Sequence, residues 1–140
     1  MRIILLLLWG IALLVFTSAS NSGFWGTGEI PFFHWKSNAD YHNLLKFDLK
    51  LSSAYIGQKI GHFTGFAIFA VLLKRVMGNY RMCIAFSVAY AVLTEVIQLY
   101  FGRDGRLYDI VIDSLGILFG LVLVWFIRKK VVIGGHSPVK

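Results

Sequence analysis

The amino-acid sequence predicts an all-α integral membrane protein: four transmembrane helices in one antiparallel bundle, residues 1–140 forming a single domain, with the N-terminus and C-terminus both cytoplasmic. Three observations predict it. The chain is 57% hydrophobic and only 15% charged, too apolar for an ordinary water-soluble domain. Its apolar residues gather into runs close to membrane-spanning length. Its cations are one-sided: Lys74, Arg75, Arg81, Arg128, Lys129 and Lys130 fall in short segments on one side, joined by Arg2 and Lys140, with no acid among them, which marks that side as cytoplasmic. The net charge of +7 therefore records topology. No soluble basic domain carries it, and no nucleic-acid partner is expected. The single cysteine, Cys83, excludes an intramolecular disulfide and a Cys-based metal cluster.

The first helix is expected over about 3–20, from the uninterrupted apolar run Ile3 to Phe16 extended to Ser20. A cleaved signal peptide is the rival reading, because Ser18 and Ser20 are small residues after a short apolar core. Residues 21–54 form the long outer loop. Its aromatics Phe24, Trp25, Phe32, Phe33 and Trp35 suit headgroup depth. Tyr41, Leu44, Leu45 and Leu49 repeat at helical spacing, and Phe47, Leu49 and Leu51 alternate, so a short interfacial helix and a strand are both open. His34 and His42 are assigned no role.

The second helix is expected over about 55–77, with Lys59 snorkelling to the outer interface and Lys74 and Arg75 to the inner one. Gly57, Gly61 and Gly65 repeat every four residues, a smooth face for close helix approach. The third helix, about 82–101, carries a small or polar stripe of Ser87, Ala91, Glu95 and Gln98. The fourth, about 109–127, carries Asp109, Asp113, Gly116 and Gly120 on one face; Leu121 lies off that stripe and is expected to tolerate truncation.

All this orders the polar residues by depth. Glu95 sits roughly 9 Å inside the outer end of its helix, and His62 and Asp113 roughly 5 Å inside theirs. Lys59, His62, Glu95, Gln98, Arg103, Arg106, Asp109 and Asp113 can thus reach one outer-leaflet cavity, although three helices and a loop supply them. Intramembrane ionisable groups are costly to bury unless paired or hydrated, so a functional site is the default reading. The rival is that the charges are ion-paired glue between helices, making the chain a structural or interaction protein. Within that rival, Asp109 would be a helix N-cap.

Lys59-Ile60-Gly61-His62-Phe63, Thr94-Glu95-x-x-Gln98, Gly102-Arg103, and Asp109 leading to Gly116 and Gly120 together resemble the signature of VanZ-like membrane proteins, over residues 57–120. Gln58 stands where that family usually has Asp, and Asp113 where Asn is common. The resemblance implies a bacterial cell-envelope protein of the cytoplasmic membrane, in a family associated with teicoplanin-type glycopeptide resistance.

The residues themselves frame two activities. As an enzyme, Glu95 or Asp113 is the general base and His62 the acid or proton shuttle, while Lys59, Arg103 and Arg106 hold a phosphate head group, with Gln98 and Asp109 completing the ligand-binding set. As a binder, the same cavity holds an anionic lipid or lipid-linked cell-wall precursor without turnover. No cofactor is assigned. Glu95, Asp109, Asp113 and His62 are hard ligands that would suit a divalent cation, but no H-E-x-x-H or comparable local motif supports one. One small four-helix core also makes a homo-oligomer or a membrane partner protein plausible.

Overall fold

The computed structural model describes residues 1–20, 28–46, 52–103 and 105–134. Among them are four α-helices, one 3-10 helix and no strand: α1 (Arg2–Ser18), the 3-10 turn Tyr41–Leu45, α2 (Ser53–Met77), α3 (Tyr80–Tyr100) and α4 (Leu107–Gly134). Three helices are long and apolar enough to cross a membrane, through Tyr55–Met77, Tyr80–Tyr100 and Leu107–Lys130; α1 is a shorter apolar helix of 17 residues. It ends at Ser18, short of Ser20, because Ala19 is extended, at φ −63° and ψ 134°.

Local signals set the ends. Ser52 caps α2 by accepting from the Tyr55 N–H. The left-handed Gly78, φ 74°, closes it, and Asn79 then caps α3 by accepting from the Arg81 and Met82 N–H groups. Two helices are thus joined by a two-residue turn that satisfies both ends. Lys74 does not snorkel there: it is buried, donates to the Gly78 carbonyl and lies 3.8 Å from the centre of the Tyr80 ring.

Successive helices run in opposite directions, so α2 and α4 lie parallel as direct neighbours, the most extensive pairing in the bundle. The seam is main chain on main chain. A Cβ at Gly116 would collide with the Phe63 carbonyl, and one at Gly120 would lie 2.5 Å from the Ala67 carbonyl oxygen. The face expected from Gly57 and Gly61 is different: nothing described lies within 4 Å of a Cβ at either. Only Gly65 of that series is packed, against the Leu13 side chain. The close approach comes from the α4 glycines because they face α2 between Asp113 and Leu121. Leu121 is buried as well, 3% exposed in the core with Ile117, so it is no free position. It follows Asp113 and Ile117 at steps of four.

The apolar core gathers Leu13, Phe66, Phe69, Ala70, Leu73, Cys83, Ala91, Ile117 and Leu121. α1 is built into it through Leu13, through Trp9 Nε1 donating to the Gly65 carbonyl at 3.0 Å, and through the Tyr90 hydroxyl donating to the Gly10 carbonyl at 2.6 Å. Facing outward are Val111, Leu115, Leu118, Phe119 and Val122 of α4 and Ile4, Leu7, Leu8 and Ile11 of α1, all exposed, the apolar belt a lipid-facing bundle presents.

The end where α1 and α3 finish and α2 and α4 begin, here the upper end, is covered by residues 28–46. Trp35 stacks on Tyr100 at 5.4 Å and meets Phe101 edge-on at 5.5 Å, Phe33 tilts on Phe101 at 5.3 Å, and the Tyr41 and Tyr100 hydroxyls lie 2.5 Å apart. These loop aromatics cap α3, where headgroup contact alone was expected; Phe24 and Trp25 lie outside the described residues. The predicted interfacial helix is the single 3-10 turn Tyr41–Leu45. Leu49, like the alternative strand of Phe47, Leu49 and Leu51, falls outside them as well.

Candidate functional site

α3 ends in a complete Schellman turn, and this turn sets one wall of the site. Gly102, at φ +68°, bonds back to the Leu99 carbonyl and the Arg103 N–H to the Gln98 carbonyl at 3.0 Å. Arg103 is thereby turned toward α1, where Nη1 donates to the Ala19 carbonyl at 2.9 Å. The chain then folds back onto α3: Gly105 packs on the Glu95 carbonyl with no room for a Cβ, and the Arg106 N–H donates to Glu95 Oε2 at 2.8 Å. A glycine is needed there for the loop to reach Glu95 at all.

Below this loop is a buried polar cluster. His62 Nδ1 lies 3.2 Å from Asp113 Oδ1 and 3.9 Å from Glu95 Oε1, and ligand atoms of the three all fall within 4.8 Å of one another. Gln98 Nε2 donates to Glu95 Oε1 at 3.3 Å. His62, Glu95, Gln98 and Asp113 are each at most 5% exposed. Asp113 Oδ2 is buried and accepts no hydrogen bond from any described residue.

One helical turn above, Lys59 Nζ grips both oxygens of Asp109, at 2.6 and 2.7 Å. Lys59 thus points inward to a carboxylate instead of snorkelling. Asp109 is the third residue of α4 and receives a side-chain charge, so it is not the helix N-cap. Two tyrosines hold the ammonium: the ring centres of Tyr55 and Tyr108 lie 4.7 and 4.9 Å from Nζ. Their hydroxyls meet at 2.7 Å, and Arg106 Nη1 donates to the Tyr108 hydroxyl at 2.7 Å. Sequence reasoning missed both tyrosines. Tyr55 stands four residues before Lys59, a spacing that places them together on a helix; Tyr108 adjoins Asp109.

All eight residues singled out from the sequence therefore gather at the upper end, in two tiers. The lower tier is His62, Glu95, Asp113 and Gln98. The upper tier is Lys59, Asp109, Arg103 and Arg106, lining a cavity of about 290 Å³ with Tyr55 and Gln58. A second, apolar groove of about 320 Å³ runs beside it along α2, lined by Tyr55, Ile56, Lys59, Ile60 and Phe63.

Comparison with known proteins matches the VanZ/LLP1 family over residues 2–128. The chain belongs to the VanZ/LLP1 family. A relative, the uncharacterized membrane protein YwnJ of Bacillus subtilis (strain 168), is 35% identical over 132 residues, covering 89% of this chain and 94% of the relative. No solved structure matches. VanZ/LLP1 membership extends the resemblance from the 57–120 signature to nearly the whole chain, with α1 included.

Proposed function

We propose that this VanZ/LLP1 protein binds the anionic head group of a lipid or lipid-linked cell-wall component at the outer face of the bacterial cytoplasmic membrane. The observation that carries the reading is the adjacency of the two cavities. A polar cavity rimmed by Lys59, Arg103 and Arg106 shares Tyr55 and Lys59 with an apolar groove along α2. An amphipathic ligand fits such a pair: guanidinium and ammonium groups hold phosphate oxygens, and the groove receives the start of an acyl or prenyl chain. His62, Glu95 and Asp113, one turn deeper, supply groups able to move a proton at the ligand. The glue reading draws support from the bidentate Lys59–Asp109 pair. It leaves unexplained why Asp113 Oδ2, in the same bundle, has no partner among the described residues.

The test is native mass spectrometry of the detergent-purified chain with phosphatidylglycerol, beside lipid profiles of membranes with and without the protein. An anionic-lipid adduct lost in Arg103→Gln supports the reading, and an adduct unchanged in Arg103→Gln and Arg106→Gln sinks it. A changed head group in the lipid profile assigns turnover; an unchanged profile with a retained adduct assigns binding. Reduced teicoplanin susceptibility on expression would connect the site to resistance.

The sidedness in this reading has its own check. In a Cys83→Ala background, Ser37→Cys is expected to react with an impermeant thiol reagent in intact cells and Arg81→Cys is not; both positions are exposed. Gly105, an obvious loop position by sequence, is unusable as a probe because it packs on Glu95. Labelling of position 81 alone would put the cavity on the cytoplasmic face.

A further inference from the structure

We propose that His62, Glu95 and Asp113 form a buried binding site for one divalent cation, of the Mn²⁺ or Zn²⁺ type, one helical turn below the cavity. The inference rests on the reading of this cavity as a ligand site, and the experiment below separates the two. The first argument is geometric. Ligand atoms about 2.1 Å from a metal and set tetrahedrally lie about 3.4 Å apart; the imidazole nitrogen here stands 3.2 and 3.9 Å from its two carboxylate oxygens. Ligand atoms of all three already lie within 4.8 Å of one another, so side-chain rotation and small shifts would bring them into coordination. One nitrogen and two carboxylate oxygens suit Zn²⁺ or Mn²⁺ better than Ca²⁺, which prefers oxygen throughout.

The second argument is the unpartnered oxygen. Asp113 is fully buried, yet Oδ2 accepts nothing from the described residues, and a carboxylate oxygen in lipid-level surroundings is stabilised by a donor or a cation. The third is charge. With both carboxylates ionised the cluster carries −2; a protonated His62 would return only +1, and Lys59 is already held by both oxygens of Asp109. A divalent ion balances the pair. The fourth is orientation. The Arg106 N–H fixes Glu95 Oε2 at 2.8 Å and the Gln98 amide meets Oε1 at 3.3 Å, the outer-shell support that positions metal-binding carboxylates.

The test uses the full chain, purified in detergent without a histidine tag and washed with chelator, with Mn²⁺ and then Zn²⁺ as the probe. Uptake is read by equilibrium dialysis with elemental analysis, and folding by the melting curve. Wild type is expected to take up one ion per chain with a raised Tm, and the isosteric Glu95→Gln and Asp113→Asn to bind at least about tenfold more weakly. Gln98→Ala, which leaves all three ligands in place, is expected to weaken binding about tenfold; it supplies the same reading if the buried carboxylate variants fail to fold. Asp40→Asn, at the exposed loop, should bind as wild type does. Folded wild type that takes up no ion at millimolar concentration, or equal uptake by wild type, Glu95→Gln and Asp113→Asn, overturns the proposal. Chelator-washed protein that retains its phosphatidylglycerol adduct while binding no ion removes the metal site and leaves the head-group reading intact; ion binding that survives when Arg103→Gln and wild type show the same adduct does the reverse.

Discussion

The upper and lower halves of the α2–α4 pair are built on one backbone register and filled with opposite chemistry. Lys59 with Asp109 and His62 with Asp113 face each other above, while Phe66, Ala70 and Leu73 lie with Ile117 and Leu121 below. In water the lower half would supply most of the folding energy. In lipid it supplies mainly contact, since acyl chains solvate leucine as well as another helix does. The polar tier has no such substitute solvent, so its geometry is more demanding: each group needs a named partner. The lower half can therefore be filled by any side chains of suitable volume, and the upper half cannot.

The strongest test of this division is the seam both halves share. Gly116→Leu or Gly120→Leu would drive a side chain into the Phe63 or Ala67 carbonyl and is expected to abolish the folded protein, measured as yield of monodisperse material. Gly57→Leu, at a glycine with nothing within 4 Å, should leave yield and Tm unchanged. Normal folding of Gly116→Leu would mean that the helices do not meet there, and the two tiers with them.

A smaller loss is expected in the upper half alone. Asp109→Leu strands the Lys59 ammonium, a change that typically costs about 3–5 kcal/mol, whereas the double variant Lys59→Met/Asp109→Leu should recover most of it. Thermal unfolding of the three proteins in one detergent decides; equal destabilisation by the single and double variants would show that the pair contributes nothing through its charges.

The smallest stability changes separate function from packing. Leu121→Ala removes contacts and is expected to lower stability by about 1–2 kcal/mol, the packing share of a large-to-small change, without selective loss of activity. Glu95→Gln is nearly isosteric: its amide oxygen still accepts from the Arg106 N–H, and its NH2 donates to the oxygen of a turned-over Gln98 amide, so it should leave Tm close to wild type while abolishing the envelope phenotype or lipid adduct. A Glu95→Gln variant with full phenotype would reduce the upper tier to a second, polar form of core.

Much of the upper tier was legible in the sequence because a charge inside an apolar run is conspicuous. Glu95 and Gln98 three apart, and Asp109 and Asp113 four apart, fix their own helix faces without any knowledge of neighbours. What required the structure was which faces meet. Gly57, Gly61 and Gly65 and the pair Gly116 and Gly120 look equivalent as patterns, yet only the second pair, with Gly65, is packed. Spacing states what a face could accept and is silent on whether a partner arrives. The same limit hid Leu121, which is buried with Ile117 in the core on the stripe beside the glycines. The proposed ligand set, drawn singly from α2, α3 and α4, also leaves no local motif, which is why the sequence assigned no metal to His62, Glu95 and Asp113.

The glycine seam has one more consequence. Where two helices touch through Gly116 and Gly120 against the carbonyls of Phe63 and Ala67, their separation is set by peptide dimensions, and no rotamer can loosen or tighten it. Lys59, His62, Asp109 and Asp113 project from that same pair of rods within two to three turns of the contact. Their spacing is thus preorganised before anything binds. If the proposed head group binds in this cavity, it must conform to the site, and selectivity among head groups would come from rigidity more than from the number of contacts offered.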